Sequence, residues 1–338
     1  MKIVFFGASV TAQSVSHSTG TVTGYVDSLS LGYSPSCYII DRVAYGSSQY
    51  SNMGVHGLSN ALLKIPNVIF FEWYTTGETC LPKENLQLQH RLLRSLGVEM
   101  ILLVLPSKRH AKTDTIPKYE DLDTMNIPFL DLRYLLDDES SEPFLRDEVH
   151  TNELGAQIYS KCIHSYIQEF VLASAPKPVF TGIHDLISQI DIEYQSVLSR
   201  EIPLNLHLSA NETLSLTASQ DSSIIFTLTR GPRTPNVTVH YANSAVTHDI
   251  TLVDRWSYYD RSSSGMELSL AENREILVTP KAAIPDYSKL CPRLLEQEYS
   301  ANRVSDPFDL RLSLKSVFVP ISSSVTLKRL AFDVASNS

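Results

Sequence analysis

From residue 1 to about residue 172 the chain repeats one pattern, a short apolar run followed by a stretch with helical spacing. The runs are KIVFFG (2–7), SCYIIDRVAYG (36–46), NVIFFEWY (67–74), VEMILLVLP (98–106) and IPFLDL (127–132), and amphipathic stretches such as NLQLQHRLLRSLG (85–97) lie between them. Continuous apolar runs of strand length suit strands covered on both faces, and helical crossovers are what join parallel strands. The pattern predicts an α/β domain, a parallel sheet covered by helices on both sides, with ligands bound at the carboxyl ends of the strands. The stretch NELGAQIYSKCIHSYIQEFVLA (152–173) puts Leu154, Ile158, Cys162, Ile163 and Ile167 near helical spacing, with Thr151 or Asn152 as the N-cap. This helix closes a first domain over 1–172, and SAPKPVFTG supplies a Pro-containing linker at 173–182.

Beyond a short helix expected around IHDLISQIDIEYQSVL, the period changes from helical to alternating. LNLHLSA, ETLSLTA, SIIFTLTRG, NVTVHYA, HDITLVD, MELSLAE, REILVTP, LRLSLKSVFVP and VTLKRLAFDV read as short strands separated by turn residues. An all-β sandwich of jelly-roll type over 183–338 is the expectation. Within it, DRWSYYDRSSSG gathers Trp256, Tyr258 and Tyr259, of which Trp256 and Tyr258, at alternate positions of a strand, are expected either to pack in the core or to form a flat platform for a sugar ring.

Composition narrows the function classes. A chain of 338 residues exceeds one typical core, in keeping with two domains. No apolar run reaches the roughly 18 residues that a membrane span needs. The apolar run after Lys2 ends at Gly7, shorter than the usual signal-peptide core of about 7–15 residues, so the cytoplasm is the expected location. The net charge is −9 and no basic cluster is longer than Lys108-Arg109-His110, which argues against a nucleic-acid partner. Cys37, Cys80, Cys162 and Cys291 are widely spaced with no C-x-x-C pair, so buried free thiols are expected rather than a metal site or a disulfide framework.

The chemistry gathers at the two ends of the first domain. The first strand runs into Gly7-Ala8-Ser9, where glycine permits a sharp turn and places a serine at a strand's carboxyl end. Just before the closing helix stands RDEVHTNELG, with Asp147 and His150 three residues apart. A serine hydroxyl attacks a carbonyl only when a base takes its proton, and a carboxylate fixes the tautomer of that base and stabilises its cation. Ser9, His150 and Asp147 are candidates for the three roles.

With these residues the chain resembles the SGNH (GDSL-type) superfamily of serine esterases and acyltransferases over about residues 1–172. Gly7-Ala8-Ser9 stands for the family's Gly-Asp-Ser block, Gly46 in VAYGSS for its second-block glycine, and Asp147-Glu148-Val149-His150 for its Asp-x-x-His block. The resemblance implies a three-layer α/β/α fold, an acyl-Ser9 intermediate, and an oxyanion held by the backbone N–H groups of Ser9 and Gly46. It implies no metal and no bound cofactor. The third block departs: where the family has Gly-x-Asn-Asp, this chain has FFEWYTTGE, which puts Thr75 near the Asn that donates to the oxyanion. Loss of one such donor typically costs about 100- to 1000-fold in rate. Glu72, Trp73 and Tyr74, at the same strand end, are candidates for contacting a substrate. The expected substrate is a small-molecule or glycan ester, with a carbohydrate O-acetyl ester foremost by analogy with the family. Two alternatives accompany it: an O-acetyltransferase that moves acetyl from a donor such as acetyl-CoA to a surface polysaccharide, and a weakly active or inactive glycan-binding protein.

Overall fold

A computed structural model describes residues 1–16, 20–33, 37–76, 81–108, 124–136, 144–173, 176–181, 194, 198–241, 247–253, 261–289 and 304–331. The chain divides into two compact units, Met1–Leu198 and Ser199–Ser338.

The first unit is built on a five-stranded parallel sheet in the order β2-β1-β3-β4-β5. Its strands are β1 (Lys2–Gly7), β2 (Ile39–Ala44), β3 (Val68–Glu72), β4 (Glu99–Val104) and β5 (Phe129–Asp131). Helices α1 (Ser9–Ala12), α2 (Tyr25–Gly32), α3 (Leu58–Leu62), α4 (Lys83–Ser95) and α5 (Glu153–Tyr166) connect and cover them. On one face Ile3, Phe5, Val68, Phe70, Ile101 and Leu103 pack with residues of α2 and α5 in one core. On the other, Phe6 and Phe71 meet the rings of Tyr45, Tyr50 and Trp73. Covering on both faces is why the strands read as unbroken apolar runs, and Ile3, Val4, Phe5 and Phe6 are fully buried. The strand order reverses between β1 and β3, which opens a crevice at their carboxyl ends.

The first unit extends beyond the linker expected at 173–182. Residues 176–180 lie along it: Asn67 Nδ2 donates to the Pro176 carbonyl at 2.9 Å, Val179 N donates to the Leu96 carbonyl at 3.0 Å, and Phe180 is buried. Pro176 and Pro178 keep this stretch out of a helix but leave its carbonyls free to accept, so it docks although its composition is that of a linker. The helix expected near 183–198 lies outside the described residues, apart from Tyr194 and Leu198.

The second unit is an antiparallel sandwich. Its strands are β6 (Ser199–Leu208), β7 (Glu212–Ala218), β8 (Ser222–Arg230), β9 (Val237–Tyr241), β10 (Thr247–Ile250), β11 (Arg261–Leu270), β12 (Glu275–Pro280), β13 (Leu312–Pro320) and β14 (Val325–Ala331). They form sheets ordered β10-β9-β12-β7-β14 and β11-β8-β13-β6. Alternate residues of both sheets, among them Leu214, Leu216, Ile224, Phe226, Ile276, Val278, Leu312 and Leu314, share one core. The Trp256, Tyr258 and Tyr259 cluster lies outside the described residues.

Cys37 is exposed rather than buried, because it precedes β2, the edge strand of the parallel sheet, and Cys162 is half-buried on α5. Cys80 and Cys291 lie outside the described residues. Among the described residues no helix is long and apolar enough to cross a membrane.

Candidate active site

The site forms where β1 ends. Gly7 is the last residue of β1, in register with Ala44 of β2 on one side and Glu72 of β3 on the other. A Cβ at this position would collide with Thr11 Oγ1 and the Glu72 carbonyl oxygen, so only glycine fits. Ala8 N donates to the Glu72 carbonyl at 3.2 Å, and the chain then turns into α1 with Ser9 as its first residue. Gly46 sits in the turn just past β2, held level with this point by the bond from Tyr45 N to the Gly7 carbonyl at 3.0 Å. The two backbone segments expected to supply oxyanion donors therefore lie at neighbouring strand ends.

His150 and Asp147 arrive from the other end of the domain, on the loop before α5. Asp147 Oδ1 accepts from the backbone N–H of Val149 at 3.1 Å and of His150 at 2.9 Å, which curls the loop around the carboxylate. Both carboxylate oxygens lie 3.0 Å from His150 Nδ1, and His150 Nε2 lies 3.0 Å from Ser9 Oγ. Burial works against the charge on Asp147, but bonds from the His150 ring, its backbone N–H and that of Val149 outweigh it and hold the carboxyl well below the usual carboxylate range. An ionised Asp147 makes Nδ1 the protonated ring nitrogen and leaves Nε2 to accept the Ser9 proton. The side chains of His150 and Asp147 are 24% and 35% exposed, so the group is open to solvent.

A set of bonds fixes this loop against the segment that carries Ser9. Gln13 Nε2 donates to the Thr151 carbonyl at 2.6 Å, and Thr151 Oγ1 donates to the Thr23 carbonyl at 2.6 Å. Lys108 N, past the end of β4, donates to the Glu148 carbonyl at 2.8 Å. Asn152 is the N-cap of α5, its side chain accepting from Gly155 N at 2.9 Å. Sequence reasoning offers Thr151 or Asn152 as that cap and overlooks Gln13, whose partner is the Thr151 carbonyl, and Thr23, whose carbonyl accepts from the Thr151 hydroxyl, both distant in sequence.

The β3 exit differs from what its sequence led us to expect. Thr75 Oγ1 donates to Glu72 Oε1 at 2.6 Å, and Thr76 Oγ1 donates to the Trp73 carbonyl at 2.9 Å. The Thr75 hydroxyl is thus committed to a buried carboxylate and does not take the place of the family's Asn. Glu72 is fully buried and Trp73 is packed against Phe6 and Phe71 with ring centroids 5.2 and 6.4 Å away, while Tyr74 is buried as well. None of the three faces a substrate from the surface, because the chain stays beneath the domain's outer layer as it leaves β3. Glu72 Oε2 also accepts from Thr11 Oγ1 at 2.9 Å. Burial pushes the Glu72 carboxyl up to about 7, against the pull of its bonds from Thr75 and Thr11.

No family model and no curated protein matches the chain. Among solved structures, it superimposes on the crystal structure of a two-domain esterase, CEX, active on acetylated mannans. The match spans 98% of this chain and 92% of that one at 9% identity, with a TM-score of 0.56. The fold is similar to that of this two-domain esterase. The same esterase co-crystallised with mannopentaose matches over 94% of this chain and 90% of that one, at 11% identity and a TM-score of 0.54. An acetyl xylan esterase, AlAXEase, matches over 49% of this chain and 100% of its own length, at 17% identity and a TM-score of 0.39. The expected parallel sheet with helices, followed by a β sandwich, is present in the described residues.

Proposed function

We propose that the chain is a serine esterase that removes O-acyl groups, foremost O-acetyl, from a carbohydrate. The observation that carries this reading is the unbroken line from Ser9 Oγ to His150 Nε2 and from His150 Nδ1 to Asp147, each link 3.0 Å. A line of this geometry suits nucleophilic attack on an ester carbonyl.

In this reading His150 Nε2 takes the Ser9 proton as Oγ bonds to the ester carbon. The charge that develops on the carbonyl oxygen is met by the backbone N–H groups of Ser9 and Gly46, preorganised at adjacent strand ends. Asp147 keeps the imidazole oriented and stabilises its cation. The tetrahedral species collapses by expelling the sugar oxygen, which takes the proton from His150. A water then repeats the sequence on the acyl-Ser9 carbonyl and releases acetate, so one ester and one water give one alcohol and one acid.

An acetylated mannan is the first substrate to test, because the esterase that this chain superimposes on is described as active on acetylated mannans. Hydrolysis is favoured over transfer because Trp73 and Tyr74, the candidates for contacting a substrate that could hold a sugar acceptor, are buried. The test is acetate release from acetylated mannan by the full chain and by Ser9→Ala. Release by the wild type alone supports the reading. Equal release by both, or acetylated acceptor sugar outrunning acetate, overturns it.

A further inference from the structure

Four buried side chains form a continuous hydrogen-bonded line beneath the nucleophile. Tyr25 Oη, at the start of α2, lies 2.8 Å from Thr11 Oγ1 in α1; Thr11 Oγ1 lies 2.9 Å from Glu72 Oε2, and Glu72 Oε1 lies 2.6 Å from Thr75 Oγ1. A hydroxyl has one proton to give. Thr11 gives its proton to Glu72, so Tyr25 is the donor to Thr11, and the bonds converge on the carboxylate from both sides.

Packing alone gives no reason for a carboxylate here. Among the described residues, hydroxyl and backbone N–H groups rather than a cation hold Glu72, and an apolar side chain would fill the same space without the cost of desolvating a charge. What the carboxylate grips is informative. Helix α1 is a single turn with no side-chain N-cap bond, and a turn that short has little stability of its own. Thr11 is two residues past Ser9 in that turn, and its side chain folds back over Gly7 toward the β3 end.

We propose that Glu72 is a positioning residue for Ser9, a tether that clamps the nucleophile's helical turn to the end of β3 through Thr11. The tether rests on the serine-esterase reading above. It acts on where Oγ sits relative to His150 and to the ester carbon, not on how tightly the substrate binds.

The experiment uses the full chain, an activated acetyl ester for kcat and KM, and the rate at which a fluorophosphonate probe labels Ser9. Thr11→Val is isosteric and removes both of its bonds. It is expected to lower kcat and the labelling rate together by about 10- to 100-fold, the scale of a displacement of about 1 Å, with KM unchanged. Thr11→Ser, which keeps the hydroxyl, is expected to recover most of the loss. Above about pH 7, where Glu72 is ionised, Glu72→Gln preserves shape but forces one threonine to accept instead of donate, and is expected to lower kcat several-fold at constant KM. It also tests the tether should Thr11→Val not fold. Wild-type kcat and labelling in a folded Thr11→Val or in Glu72→Gln, or a change confined to KM, would overturn the tether alone. A wild-type chain whose Ser9 takes no label would overturn the esterase reading and the tether with it.

Discussion

At the scale of single residues, the proposed function has Asp147 act through His150, whose Nδ1 lies 3.0 Å from both of its carboxylate oxygens. Replacing it with Asn keeps the shape but no longer specifies which ring nitrogen bears the proton, a change that lowers kcat by about 10⁴-fold in triads of this kind. The expected result for Asp147→Asn is a loss of that order in ester turnover with the fold intact, read by steady-state kinetics beside circular dichroism. Asp147 is also held below its ordinary value of 3.8, so its contribution to stability is present above that pH and is lost as the pH falls through and below it. Glu72 has the opposite sign. Its folded value of about 7 lies above the ordinary 4.5, so the folded state holds the extra proton between those limits and stability falls as the pH rises from about 4.5 to 7. The decline attributable to Glu72 is on the order of 3 kcal/mol. Denaturant melts across that window should show it in the wild type and not in Glu72→Gln; identical slopes would contradict it. The meeting of Ser9, Asp147 and His150 was legible in the sequence because serine-ester chemistry calls for those residue types at strand and helix ends. Thr75 and Glu72 were misread as separate groups facing a substrate, because a spacing of three after a strand lets them satisfy each other and pattern reading does not weigh that competition.

At the scale of elements, the strands were legible wherever burial imposes a period. Apolar runs marked the parallel strands, and alternation marked the sandwich, whose two faces differ in polarity. The bonds that set the loop carrying Asp147 and His150 were not legible, since their acceptors are main-chain carbonyls with no side-chain signature. Asn152 is the exception, and its cap bears on function because α5 starts three residues beyond His150. Asn152→Ala is expected to cost about 1 kcal/mol of stability. It should also lower kcat more than KM changes, by loosening the loop that carries Asp147 and His150. Thr151→Val is expected to cost about 1–3 kcal/mol, because it leaves the buried Thr23 carbonyl without its donor. Urea titration measures both, and unchanged midpoints would show that other contacts set the loop.

At the scale of the whole molecule, the change of period separated an α/β half from a β half, but a proline-rich stretch misplaced the boundary. A stretch's composition reports what it cannot form, not what it docks against. The packing of 176–180 on the first unit predicts that a fragment ending at 198 folds, whereas one ending near 175 loses the partners of Asn67 and Leu96 and melts lower. The longer fragment is expected to keep turnover of a small acetyl ester and to lose turnover of acetylated polysaccharide; equal loss on both would mean that the β unit supports catalysis itself. The central claim, that ester chemistry passes through an acyl group on Ser9, is tested most directly by rapid acid quench of the full chain with an activated acetyl ester, followed by peptide mass spectrometry. The account predicts one acetyl group on the peptide bearing Ser9 in the wild type, its accumulation before acetate release reaches steady state, and its absence in His150→Ala. Acetate released at the wild-type rate by Ser9→Ala, or acetyl found only on another residue, would contradict it.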